Sequence, residues 1–332
     1  MNISIFGLGY VGCVSVGCLA KNGHNVIGVD VADHKVNLIN SGKPTIIEKD
    51  IDHIIAAEFN NGRISATQDY QSAVNATQVS IICVGTPSSP TGQLDLGYVY
   101  RVAEQIGEAL KKKKDFHVVS IRSTVLPGTN EKVNEIIARK SGKKIDKDFA
   151  VVSNPEFLRE GYAVSDFFNP PFTAIGTSSD RAFSIMQDVY KNINGQQERV
   201  DIKVAELIKY VNNTFHALKI TFANEVGNIC KKLNIDSHEI MDLFIKDAQL
   251  NISSAYLKPG FAYGGSCLPK DLKGLATLAH DYYLDSPVIE SIERSNEAQK
   301  KLVAEMILAQ NKKNIGIIGL SFKKDTDDLR YS

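Results

Sequence analysis

The chain has 332 residues, 43% of them hydrophobic and 23% charged, and its 38 basic and 38 acidic side chains cancel to a formal net charge of zero. Such a composition suits a globular protein with more than one core, and it lacks the basic excess that a nucleic-acid partner requires. No stretch approaches the roughly 20 apolar residues of a membrane span, and the opening Met1–Phe6 has no basic region of signal-peptide type.

Ile3–Phe6 predicts a short strand, Val11–Asn22 a helix stopped at Gly23, and Val26–Val29 a second strand that closes on Asp30. Between the first strand and the helix stands Gly7-Leu8-Gly9-Tyr10-Val11-Gly12. A GxGxxG alone is a weak signal. Here it follows a strand, opens a helix and precedes an acid at about the expected 20-residue distance. Gly7 permits the tight turn, Gly9 lets backbone approach a pyrophosphate, and Gly12 lets helix and strand pack closely. Asp30 would bond an adenosine ribose diol and repel a 2′-phosphate, so the expected cofactor is NAD. Tyr10 and Val11, inside the loop, join the candidate cofactor contacts. Lys35 lies either near the same ribose or on a solvated helix face.

The apolar runs Val79–Val84, Val118–Ile121 and Ala150–Val152 predict further strands, with helices over Val99–Leu110 and Asn130–Arg139 between them. Strands alternating with helices predict a parallel, doubly wound sheet. Lys111–Lys114 reads as the solvated end of a helix. Thr86, in "VGTP", and Thr124, in "STVLPGT", each follow a strand aimed at the cofactor; either could also cap a turn. In "NPEFLREG", Glu156 and Glu160 stand four apart. One helical turn there would place both carboxylates on one face, where they could divide base and ligand work.

Near Val200 the pattern changes. Asp201–Asn234 contains no proline and only Gly227, and apolar residues cover almost every face, which predicts a long buried helix. Lys209, Asn213, His216, Ile220 and Asn224 share one stripe of it. Inside a buried helix that stripe needs polar partners, from a ligand pocket or an internal hydrogen-bond network. Helices over Ser237–Ile245, Leu272–Ala279 and Ser286–Leu308 follow. At Asn314 a strand signal returns in "NIGIIGLSFKK" and opens a domain that the chain does not complete, as in a fragment of a longer protein. The expected fold class is therefore α/β: a Rossmann-like doubly wound sheet over 1–200, an all-helical central dimerisation and substrate domain over 201–310, and over 311–332 the first strand of a truncated second α/β domain.

Of five cysteines, Cys13, Cys18, Cys83 and Cys230 lie among apolar neighbours and read as core residues. The odd count, wide spacing and lack of CxxC argue against a disulfide framework or metal site and for a reducing cytoplasm. Cys267 differs. In "FAYGGSCLPKDL" it follows two glycines that let backbone approach a ligand, and Lys270 and Asp271 put charge within a turn. Local sequence leaves buried filler and reactive thiolate equally open.

Together "GLGYVG", "VGTP", "STVLPGT", "NPEFLREG", "AELIKYVNNTF", "FANEVGNI", "PGFAYGGSCLPKD" and "GLSFKKDTDDLR" resemble the UDP-glucose/GDP-mannose dehydrogenase family, from Met1 to about Arg330. The resemblance implies an NAD-binding domain, a helical dimerisation core and a C-terminal domain for the sugar nucleotide. It implies oxidation of a nucleotide-sugar C6 alcohol to a carboxylate with two NAD, through a thiohemiacetal and thioester on Cys267. By the same resemblance Lys209 and Asn213 stabilise charge on the C6 oxygen, Glu156 activates the hydrolytic water, and Asp271 and Thr124 hold a water. Glu160, His216, Asn224, Tyr256, Lys258, Phe261 and Gly265 fall at substrate positions, with Lys323 at a sugar-nucleotide contact. Thr86, Lys270 and Arg330 fall on the cofactor side. "ICVGTPSSPTGQLDLGYV", "YLKPGFAYGGSCLPKD" and "TDDLR" look closer to the GDP-mannose members, with UDP-glucose the alternative; Lys258 stands where GDP-mannose members tend to carry arginine. A homodimer through the 201–234 helix is expected. Two rival readings stay open: a two-electron dehydrogenase that needs no thiolate, and a non-catalytic NAD-binding, dimerising fragment.

Overall fold

The computed structural model describes residues 1–87, 94–253, 255, 256, 260–264 and 267–319. Strands β1 (Asn2–Phe6), β2 (Asn25–Val29), β3 (Ile64–Thr67), β4 (Val79–Ile82), β5 (His117–Ile121), β6 (Phe149–Ser153), β7 (Phe172–Gly176) and β8 (Gln196–Val200) form one sheet in the order β3-β2-β1-β4-β5-β6-β7-β8. Helices α1 (Tyr10–Lys21), α2 (Asp33–Ile39), α3 (Ile51–Asn60), α4 (Tyr70–Ala76), α5 (Gly97–Leu110), α6 (Thr129–Ser141), α7 (Ala163–Phe168) and α8 (Asp180–Val189) lie between the strands. Beyond the sheet come α9 (Ile202–Lys232), α10 (Ser237–Phe244), α11 (Cys267–Asp281) and α12 (Pro287–Leu308). The chain divides into two compact units, Met1–Asn212 and Asn213–Ser332.

Neighbouring strands run parallel except β6 and β7, which meet antiparallel at Ser153 and Gly176. The first six strands have the doubly wound order, so the sheet reverses direction between β1 and β4, where such folds bind ligands. Alternation along the strands divides the core between two faces. Ile3, Ile5, Val79 and Ile81 pack with α1, α3, α7 and α8. Phe6, Val29, Ile82 and Ile121 pack with α4, α5 and α6. Sequence patterning missed β3, β7 and β8. The last, Gln196-Gln197-Glu198-Arg199-Val200, is a polar edge strand with no fully buried residue, so it leaves no apolar run to read.

Two close approaches position what matters for the site. A Cβ on Gly12 would stand 1.8 Å from the Gly7 carbonyl oxygen, so α1 can sit against the β1 turn only with glycine there. Gly7 itself has φ +95°, wedged against the backbone of Cys83 and Val84. A Cβ on Gly176 would stand 2.6 Å from the Ala205 Cβ, so its absence lets the first turn of α9 lie on β7.

Two expectations are corrected, and a third falls mostly outside the described residues. The long helix is not buried all round: Leu207, Val211, Phe215, Leu218 and Ile220 of α9 are exposed, Ile220 to 64%. Within its own chain α9 is covered only in patches, at Ala205, Glu206 and Lys209 and again at Glu225, Ile229 and Cys230. Residues 314–319 pair with no strand among the described residues, and Ile315, Ile317 and Ile318 are exposed. The rest of the segment, 320–332, lies outside the described residues. In the lysine run, Lys113 is not simply solvated. Its Nζ donates to the Val74 and Thr77 carbonyls at 2.7 and 2.5 Å, satisfying the C-terminus of α4, and burial lowers its pKa.

Gly12→Ala should therefore destabilise the protein by about 3 kcal/mol, because backbone must move to admit the methyl group. Urea unfolding followed by circular dichroism checks this; an unchanged midpoint would contradict the tight packing of α1 on the β1 turn.

Candidate active site

The C-terminal ends of β1, β2 and β4 converge on the glycine loop. Gly9 caps α1 with no side-chain acceptor, so the first-turn N–H groups of the helix have no side-chain partner there. A Cβ on Gly9 would meet nothing within 4 Å, which leaves the outer face of the loop open. Asp30 faces the loop from the end of β2. Its Oδ2 accepts from the Leu8 N–H at 2.7 Å and its Oδ1 from the Ala32 N–H at 2.9 Å, while Lys35 Nζ stands 3.5 Å away. Oδ2 thus accepts from both Leu8 and Lys35, and Oδ1 keeps a lone pair for a further donor. A cleft of about 130 Å³ beside it is lined by Gly7, Val29, Asp30, Val84, Tyr98 and Arg101. An uncapped helix start, open backbone and a flanking carboxylate fit a dinucleotide: the loop would hold the pyrophosphate and Asp30 the ribose diol.

A second group gathers at the ends of β4, β5 and β6. Thr86 Oγ1 donates to the Thr124 carbonyl at 2.9 Å, so the two predicted threonines are brought together. Lys209 Nζ stands 2.9 Å from Glu156 Oε1, and their side chains are only 11% and 10% exposed. Glu156 Oε2 accepts from the Leu158 N–H at 2.6 Å. Removing either partner would strand a buried charge, a change that costs about 3–5 kcal/mol in general. Thr124 and Lys209 line one small cavity together with Ser153, Asn154, Pro155 and Glu206.

Glu156 and Glu160 do not share a helical face. Residues 154–159 carry no helical turn, α7 begins only at Ala163, and Glu160 is exposed while Glu156 turns inward to Lys209. Pro155 disfavours helix at Asn154, and Arg159 is held instead by a bidentate pair with Asp166. On α9, Asn213, His216 and Asn224 are exposed, so the polar stripe needs no internal partners within this chain. Tyr256 and Phe261 are exposed, Tyr256 with φ +62°. Cys267 and Lys270 are placed by backbone in α11, Cys267 as its first residue, and Asp271 follows in the same helix. Lys258, Gly265, Lys323 and Arg330 lie outside the described residues.

Sequence reasoning missed three buried charged groups here. Glu48 accepts from the Tyr10 hydroxyl, from the Gly161 N–H at 2.7 Å and from the Ala163 N–H at 3.2 Å. It thus ties the glycine loop to the segment bearing Glu156 and Glu160. Burial pushes its pKa up, but the bonds from Tyr10, Gly161 and Ala163 outweigh that and hold it below the ordinary carboxylate value. The Tyr10 phenol is pushed upward, first by burial and then by Glu48. Arg122 donates to Asn154 Oδ1 at 3.2 Å and to the Tyr190 hydroxyl at 3.1 Å, bracing the end of β5 against β6. Glu206 stands three residues before Lys209 on α9; that spacing was its only trace in the sequence. The cysteines read as filler are buried, with the Cys18 and Cys83 thiols pushed up to about 12 mainly by burial.

A doubly wound sheet with an open glycine loop and a carboxylate at its switch point defines an NAD-binding, dehydrogenase-type domain. The profile described as "UDP-glucose/GDP-mannose dehydrogenase family, NAD binding domain" matches residues 1–194, and that family's central domain matches 203–298. A GDP-mannose 6-dehydrogenase from Pseudomonas aeruginosa is 46% identical over 333 residues, covering 100% of this chain and 76% of the relative. The solved ternary complex of GDP-mannose dehydrogenase from P. aeruginosa superposes with a TM-score of 0.98 at 46% identity, again over 100% of this chain and 76% of that one. A UDP-glucose dehydrogenase structure from Pyrobaculum islandicum gives 0.72 at 36% identity, covering 100% and 77%. The chain belongs to the UDP-glucose/GDP-mannose dehydrogenase family. Among the described residues no helix is long and apolar enough to cross a membrane.

The Glu48 junction makes a pH prediction. Its folded pKa lies below the unfolded value, so the stability it contributes is present above the ordinary carboxylate range and is lost as pH falls through the folded pKa. Glu48→Gln should cost about 2 kcal/mol at pH 7. The gap in melting temperature between wild type and variant should shrink as pH drops from 7 to below 4. A gap that stays constant over that range would mean that the ionised carboxylate is not what holds the junction.

Proposed function

We propose that this protein oxidises the C6 alcohol of a nucleotide sugar to a carboxylate, with GDP-mannose as substrate and GDP-mannuronate as product. The observation that carries the reading is the 46% identity along the whole chain to a relative named for GDP-mannose 6-dehydrogenase. NAD, when bound, supplies the oxidising equivalents, two per sugar. With one water consumed, each alcohol yields one carboxylate and two NADH.

The chain's own residues divide the remaining work. The Lys209 ammonium and the Asn213 amide would stabilise negative charge on the C6 oxygen. The Cys267 thiolate would add to the first-formed aldehyde, giving a thiohemiacetal and retaining the reactive carbonyl on the protein. Its position at the start of α11 suits this, since the positive end of a helix favours a thiolate. Oxidation of the adduct gives a thioester. Water then releases the carboxylate, with Glu156 as the base that accepts its proton and Thr124 and Asp271 holding the water in place. The buried Glu156–Lys209 pair supports this division, because it brings the base and the donor to the C6 oxygen within 2.9 Å of each other in a place poor in solvent. Glu160, His216, Asn224, Tyr256, Lys258, Phe261, Gly265 and Lys323 are proposed as substrate contacts, and Lys35, Thr86, Lys270 and Arg330 as cofactor contacts.

A homodimer is part of the proposal. Val211, Phe215, Leu218 and Ile220 on α9 and Leu302, Met306 and Leu308 on α12 are exposed, apolar side chains that a partner subunit would cover.

The test is NADH formed per sugar, with GDP-mannose and UDP-glucose assayed separately. Two NADH per GDP-mannose is the expected result, and one would overturn the thiolate mechanism. Turnover of UDP-glucose alone would transfer the substrate assignment to the UDP-sugars. Cys267→Ala should lower carboxylate formation by about a thousandfold or more; full turnover in that variant would remove Cys267 from the chemistry.

A further inference from the structure

Glu206 is a buried carboxylate that forms no ion pair among the described residues, Lys203 acting on it only from a distance. It is 3% exposed, and its two oxygens are spent on backbone. Oε2 accepts from the Gly128 N–H at 2.8 Å and Oε1 from the Asn130 N–H at 2.7 Å. Those donors belong to the start of α6, whose N-cap is Gly128 and therefore has no side chain to offer its own first turn. The helix start supplies both hydrogen bonds and a favourable dipole for the charge. Burial still lifts the Glu206 pKa, against the downward pull of the two amides.

The two segments joined this way carry candidate catalytic groups. The turn before α6 is Thr124-Val125-Leu126-Pro127-Gly128, so the clamped amide lies four residues beyond Thr124. On the other side Lys209 follows Glu206 by three residues on α9, on the same face. Thr124, Glu206 and Lys209 line one cavity. The α6 end of the clamp is anchored to the sheet as well: Asn130 Nδ2 donates to the Val151 carbonyl at 3.3 Å and to Ser153 Oγ at 3.1 Å. The α9 end rests on Gly176 through Ala205. A second tie between the same helices, Lys203 with Glu131 at 3.3 Å, is more than 60% exposed on both sides and is weak by comparison.

We infer that Glu206 is a positioning residue, whose carboxylate clamps the start of α6 to α9 and so sets Lys209 against Glu156 and Thr124 beside it. This rests on the dehydrogenase reading above for the roles of Lys209 and Thr124. The clamp itself does not depend on that reading.

The chain contains its own control. Glu225, further along α9, accepts from the Val288 and Ile289 N–H groups at 2.9 and 3.0 Å and caps α12 in the same manner, in the other compact unit. Glu206→Gln and Glu225→Gln each keep side-chain length and replace one acceptor by a donor. Both should lower the melting temperature. Only Glu206→Gln should loosen Lys209, and its rate of acylation by acetic anhydride, read by mass spectrometry on the full chain without substrate, should rise at least threefold. In turnover the same variant should lose at least tenfold in kcat with both KM values within twofold, while Glu225→Gln stays within twofold in kcat. Unchanged Lys209 acylation in Glu206→Gln, or an equal rise in Glu225→Gln, overturns the clamp. If wild type forms no NADH from either sugar nucleotide, the dehydrogenase reading fails and the acylation rates still decide the role of Glu206.

Discussion

The first turn of α9 meets the sheet where β7 has no Cβ. At Gly176 the backbone of the strand comes close enough to Ala205 that a single methyl group would push the helix away. This contact sets the depth of α9 on the sheet, and the next residue, Glu206, sets its rotation through the start of α6. One turn on, Lys209 then reaches Glu156 at the end of β6. Depth, rotation and reach are consecutive consequences of one helix geometry, because residues on one face of a helix cannot be moved independently.

Buried carboxylates in this chain are held in two different ways. Glu48, Glu206 and Glu225 each accept from a pair of backbone N–H groups at a helix start, at α7, α6 and α12 respectively. Backbone donors are always present and carry no side-chain entropy, so such carboxylates serve as fixed struts. Glu156 is matched instead by the flexible ammonium of Lys209. A lysine on a four-carbon stem can change partner, which a backbone amide cannot. The proposed chemistry falls to the pair that can rearrange, and the architecture to the carboxylates that cannot.

The glycine loop follows the same separation. Gly7 and Gly12 are consumed by packing, since each would collide with backbone if it carried a Cβ. Gly9 collides with nothing and leaves its face open to a dinucleotide. Asp30 serves both sides, its Oδ2 accepting the Leu8 N–H that shapes the loop while its Oδ1 retains a lone pair beside the cleft. The Tyr10 side chain is turned away to Glu48, so its hydroxyl belongs to the link with the 154–163 segment.

The sequence alone determined the glycine loop, the parallel sheet, the acid after β2 and the family. All of these are written in local spacing: a period of two for strands, a turn that only glycine can make, and motifs a few residues long. Tertiary structure decided what depends on distant partners. The Asn130 amide and its acceptor Glu206 stand 76 residues apart, and the Gly161 amide and Glu48 stand 113 apart, so no local pattern could announce either. The fates of Glu156 and Glu160 were decided the same way. Equal spacing suggested a shared helical face, but Pro155 and the Arg159–Asp166 pair kept the segment irregular and sent one carboxylate inward and the other to solvent. The apolar residues of α9 mark the same boundary. Composition says that they seek cover, and only packing says that their own chain does not provide it, because a 31-residue helix is longer than the surface its chain lays along it.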